Sequence, residues 1–86
     1  MPEVSRFYGL VIKMYFADHH PPHFHAEYGE HEALVAIETL AVIAGKLPPR
    51  AMGLVTEWAS LHQGELSAAW RKAENLEPVA TIDPLP

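Results

Sequence analysis

From Phe7 to Phe16 the chain alternates, with Tyr8, Leu10, Ile12, Met14 and Phe16 on one side and Gly9, Val11, Lys13 and Tyr15 on the other. A period of two predicts a strand with one buried face. Pro21-Pro22 cannot donate ladder hydrogen bonds and restrict the residue before them, so Asp18 to Pro22 reads as a stiff chain-reversing turn. Alternation resumes from His23 to Tyr28, separating His23, His25 and Glu27 from Phe24, Ala26 and Tyr28. This predicts a second strand, closed by a tight turn at Gly29-Glu30.

The segment from Glu32 to Ala44 mixes alanine and leucine with Val35, Ile37, Val42 and Ile43. Propensity alone allows one helix. Two short strands breaking near Glu38-Thr39 fit better, because a hairpin needs further partners to be stable. After Gly45-Lys46-Leu47, the prolines at 48 and 49 suit a helix start, where no backbone donor is required. An apolar stripe of Ala51, Leu54, Val55, Trp58 and Leu61 predicts a helix from Pro49 to His62. Gly64 interrupts the stripe, and Leu66, Ala69, Trp70 and Ala73 predict a second helix from Glu65 to Asn75. Arg71 and Lys72 sit near its C-terminal end, where cations offset the helix dipole. Both tryptophans are expected in the core between helices and sheet. The proline-rich tail, residues 76–86, is expected to lie extended along the body or fray.

Strands before helices define an α+β class. The expectation is a single domain over 1–86: a three- or four-stranded antiparallel β-meander over about 7–44, with two C-terminal helices over about 49–75 packed on one face.

An 86-residue chain with 49% hydrophobic residues and no cysteine has neither disulfides nor thiolate metal sites to support a small core. Dimerisation or a histidine-held metal is the natural supplement. No apolar run approaches the roughly 20 residues needed to cross a bilayer, and Met1 to Arg6 lacks the character of an export signal, so a cytoplasmic domain without a membrane is expected. Eleven acids against six bases give a formal charge of −5. That balance disfavours nucleic-acid binding, which depends on neutralising phosphates.

Five of the six histidines fall between His19 and His31, among Asp18, Glu27, Glu30 and Glu32 and without a lysine or arginine. Imidazole is the commonest metal ligand and changes charge near neutral pH. On a strand, residues two apart project from one face about 7 Å apart, so His23 and His25 can reach one ion while His19 approaches from the turn. His20 is a further candidate ligand, and Asp18 or Glu27 can ligate or orient a ring through its second nitrogen. Such a donor set suits Zn²⁺, Ni²⁺ or Cu²⁺.

Other uses of the cluster stay open. The histidines can simply bond to backbone in a packed turn, as is expected of the isolated His31 and His62. Protonation of five imidazoles can turn a local charge of about −4 to about +1, a pH switch. A metal-free ribonuclease would combine His23 or His25 as base with Arg50 or Arg6 for the phosphate and Tyr15 or Tyr28 as donor, although four local carboxylates would repel a polyanion.

The order of Ser5-Arg6-Phe7-Tyr8-Gly9, Met14-Tyr15-Phe16, Asp18-His19-His20-Pro21-Pro22-His23-Phe24-His25-Ala26, Gly45-Lys46-Leu47-Pro48-Pro49-Arg50-Ala51 and Glu57-Trp58 resembles a family of short bacterial proteins, DUF4160. The resemblance covers nearly the whole chain, and its His-x-Pro-Pro-His-Phe-His motif falls on His19, Pro21, Pro22, His23, Phe24 and His25, with His20 at the open position. It implies a small α+β domain of unsettled activity, encoded beside another small domain in a suspected toxin–antitoxin pair. The combined expectation is a metal-binding domain, not demonstrably an enzyme, acting through a small protein partner or as a homo-oligomer. A toxin-like ribonuclease and a purely structural domain are the alternatives.

Overall fold

The computed structural model describes residues 3–86; Met1 and Pro2, counted in the expected 1–86 domain, lie outside the described residues. Strands β1 (Glu3–Phe7), β2 (Leu10–Lys13), β3 (His23–Tyr28), β4 (His31–Ala36) and β5 (Val42–Lys46) precede helices α1 (Pro49–Leu61) and α2 (Gln63–Glu74). The strands form one antiparallel sheet in chain order.

The sheet has five strands, not the three or four expected. The stretch from Phe7 to Phe16 is not one strand but the end of β1, a hairpin turn at Tyr8-Gly9 and β2. Both turn residues have positive φ, 48° and 83°, as a two-residue primed turn requires. The turn breaks the parity of the alternation: Phe7 and Leu10 pair across it and are both buried, whereas Tyr8, in sequence phase with Leu10, is a turn residue and is exposed. β1 itself escapes the alternation because its register shifts between Glu3 and Ser5, where Ser5 pairs with Ile12 and Glu3 with Lys13. This bulge turns Val4 and Ser5 inward together.

Glu32 to Ala44 forms strands rather than a helix, with the reversal at 37–41 between β4 and β5. The β4–β5 register brings backbones close at Gly45, where an added Cβ would fall 2.1 Å from the Glu32 carbonyl oxygen. Its φ of 76° also favours glycine.

Leu10, Ile12, Phe24, Ala26, Ala33 and Val35 supply the sheet's share of the core. Trp58 of α1 closes it, with its ring 5.3 Å from that of Phe7 and 5.9 Å from that of Phe24. Pro49 occupies the first turn of α1, where its missing N–H costs nothing. In α2, Leu66, Ala69, Trp70 and Ala73 are buried, and Arg71 and Lys72 lie in the last turn. Gln63 at the helix junction donates to the carbonyls of Ile37 and Glu38, tying it to the β4–β5 loop.

The tail lies along the body. The Ile82 N–H donates to the Val4 carbonyl, and Ile82 and Leu85 are buried. One sheet edge is thereby covered, whereas all five residues of β5 at the other edge are exposed.

Candidate metal centre

The loop between Met14 and Pro22 carries Asp18 back across the start of β3. Ala17 adopts a positive φ of 53° and its N–H donates to the Ala73 carbonyl at the end of α2. The Ile37 N–H donates to Pro22, and the His20–Pro21 peptide is cis. Held to helix and sheet in this way, the loop directs the Asp18 carboxylate between two rings of β3.

Asp18, His23 and His25 each place a ligand atom within 4.8 Å of those of the other two. Asp18 Oδ2 lies 3.1 Å from His23 Nε2 and 3.0 Å from His25 Nε2. The side chains are 18%, 5% and 14% exposed, respectively. Ligands bound to one ion at 2.0–2.1 Å stand about 2.9–3.4 Å apart in octahedral or tetrahedral geometry, so these separations already match a coordination edge.

The outer ring nitrogen of His23 explains why its inner one is free. His23 Nδ1 is 2.8 Å from the Pro21 carbonyl. A carbonyl only accepts, so Nδ1 carries the proton, and in the neutral ring Nε2 presents a bare lone pair. That nitrogen is buried and has no hydrogen-bond partner. The nearby Asp18 oxygen is within ion-pair distance but off hydrogen-bond geometry, and it too is an acceptor. His25 differs: its Nδ1 lies 3.3 Å from Glu32 Oε2 and its Nε2 is hydrogen-bonded to Asp18 Oδ2 at 3.0 Å, so this ring stands between two carboxylates. Two rings whose far nitrogens are anchored to acceptors, and whose near nitrogens converge on a carboxylate, make the arrangement that supports a bound metal ion.

Burial works to raise the Asp18 carboxyl, but hydrogen bonds from the His25 ring and the His19 backbone N–H, together with the electrostatic influence of the neighbouring rings, outweigh it and hold the group below its ordinary value. The site therefore keeps a negative oxygen. The Tyr15 ring meets His25 edge-on at 4.5 Å, and Trp70 packs 5.4 Å from His23, fixing both imidazoles from outside.

The remaining sequence candidates lie elsewhere. The His19 side chain adds no donor to the converging group, although its backbone N–H bonds Asp18 Oδ1 at 2.8 Å. His20 pairs with Glu74 and meets Trp70 edge-on, tying the loop to α2. Glu27 pairs with Lys13 at 3.0 Å and orients neither ring. Glu32 stands in that place because the β3–β4 register sets Leu34 opposite His25, making Glu32 a diagonal neighbour on the same face. The two-residue turn at Gly29-Glu30 was the available signal, since it fixes this register. His62 bonds Glu65 between the helices, and His31 is exposed.

The groups weighed for metal-free phosphate chemistry are divided. Tyr28 and His25 are an odd number of residues apart on β3 and face opposite ways. Arg6 is paired with Glu3, and Arg50 lines a cleft with Tyr8 and Tyr28 that contains no histidine.

With fold and site in view, the class is a small α+β domain built around a two-histidine, one-carboxylate group. Residues 9–71 match the family described as Domain of unknown function (DUF4160), and the chain belongs to it. No curated protein and no solved structure matches the chain. No helix is long and apolar enough to cross a membrane among the described residues.

Proposed function

We propose that this domain binds one divalent transition metal ion through Asp18 Oδ2, His23 Nε2 and His25 Nε2, and acts through a protein partner. The observation that carries the metal reading is the buried, unpartnered His23 Nε2 facing a carboxylate oxygen. Two acceptors at 3.1 Å repel unless a proton or a metal cation lies between them, and burying an unsatisfied polar atom costs about 1–3 kcal/mol. His25 and Asp18 complete three ligands, and Glu32 and the Pro21 carbonyl hold the tautomers. Zn²⁺, Ni²⁺ and Cu²⁺ are the candidate ions, with remaining coordination positions left to water. The partner reading is supported by the open edge of β5, where Val42 and Ile43 are each 44% exposed; such an edge is a template for another chain.

The test is calorimetric titration of the tag-free protein with each ion. One ion per chain should bind, and the heat should vanish in a His23→Ala/His25→Ala variant whose fold is checked by circular dichroism. An unchanged heat in that variant removes the metal reading. A pull-down that loses its partner on replacing Ile43 with lysine would support the edge as the contact.

A further inference from the structure

We propose that the cleft between the Tyr8-Gly9 turn and the first half of α1 binds an extended, proline-rich peptide segment carrying an acidic side chain. The cleft has a volume of about 560 Å³ and is walled by Tyr8, Tyr28, Arg50, Leu54 and Glu57, with Leu85 and Pro86 of the tail at one side.

The chain's own tail shows the mode of recognition. The Trp58 indole N–H donates to the Asp83 carbonyl at 2.8 Å, and the Tyr8 hydroxyl donates to the Pro86 main-chain oxygen at 2.6 Å. These acceptors are three residues apart. Pro84 and Pro86 fix φ, and each restricts the residue before it to extended backbone. Such a chain has a three-residue repeat, so carbonyls at this spacing face the same way. Aromatic donors along a groove reading carbonyls of a pre-stiffened segment are the means by which proline-rich ligands are held. The cleft adjoins this contact, since Tyr8 and Pro86 belong to both.

Charge sets the composition of the occupant. Arg6 and Lys13 are taken by Glu3 and Glu27, but Arg50 has no carboxylate partner among the described residues. Glu57 lies two helical turns further along α1, about 10 Å away by helical rise, and is likewise without an ion pair among them. An acid on the ligand is attracted at the Arg50 end and repelled at the Glu57 end, which sets where along the cleft that side chain lies. Tyr28 is positioned by Gly9, where an added Cβ would stand 3.3 Å from the tyrosine ring. The absence of a side chain there lets the ring lie over the turn and form a flat wall.

The test uses the isotope-labelled full chain, followed by amide NMR during titration with a capped proline-rich peptide containing one aspartate. A matched peptide with asparagine in its place is the control. Binding tighter than about 1 mM is expected, about −4 kcal/mol, with shifts centred on Tyr8, Tyr28, Arg50, Leu54 and Glu57. The asparagine peptide and an Arg50→Glu variant of unchanged melting temperature should each bind at least about tenfold more weakly. Absence of shifts at millimolar peptide overturns the proposal, as does equal affinity for the two peptides. Shifts centred on Ile82 and the rest of the tail would mean displacement of the tail itself, and would also overturn it.

Discussion

The two ends of β3 make opposite use of polar side chains. At the His23 end, a carboxylate and two imidazoles are largely removed from water and converge, with their outer atoms tied to Pro21 and Glu32. At the Tyr28 end, Arg50 and Glu57 stand apart along an open cleft floored by apolar side chains. Burial without a partner is costly, and this is what supports the proposed ion at the first end. Solvated charges cost little, so the second implies only selectivity for what enters.

The largest predicted effect breaks the cleft end. Leu85 is 7% exposed, and Leu85→Ala should destabilise the fold by about 2–5 kcal/mol, read by urea denaturation, without altering metal stoichiometry. Nearly as large is the metal effect at the other end. Zinc at one hundred times its dissociation constant should add about 2.7 kcal/mol, raising the melting temperature by roughly 10–20 °C, and the increment should vanish in His23→Ala/His25→Ala.

Finer changes sharpen the contrast. Replacing Glu32 with glutamine keeps the shape but weakens the acceptor for His25 Nδ1, so metal affinity should fall about 10–100-fold while metal-free stability hardly moves. Acidification should also weaken metal binding, because protons compete for the same ring nitrogens.

For the metal-free protein, Asp18 adds a separate acid dependence. Its carboxyl is held below the ordinary value in the fold, so its stabilising contribution is complete above the unfolded value of about 3.9 and is lost as pH falls through the lower folded value. Melting curves between neutral pH and pH 2 should show this loss in the wild type and not in Asp18→Asn. The smallest effect belongs to Arg50→Glu, which should leave stability within about 0.5 kcal/mol. A larger loss would mean that Arg50 supports the fold, and the contrast between the two ends would fail.

Local periodicity carried much of the architecture. The alternation in β3 and the stripes containing Trp58 and Trp70 were readable because each reflects a repeat of two or of about 3.6 residues, and the prolines at the start of α1 because they suit a first helical turn. The first strand was not readable as separate, since the β1 bulge places Val4 and Ser5 on one side and Tyr8, a turn residue, mimics in sequence a continuation of the alternation of Leu10 and Ile12.

The candidate site divides along the same line. His23 and His25 share a face by strand geometry alone, so sequence determined that these two rings project together. Asp18 as their common neighbour, Glu32 rather than Glu27 beside His25, and the separation of His19 and His20 from the group were decided only in three dimensions. Those placements depend on how a loop is anchored to the end of α2 and on a cross-strand register. Contacts between segments distant along the chain leave no period in the sequence from which to read them.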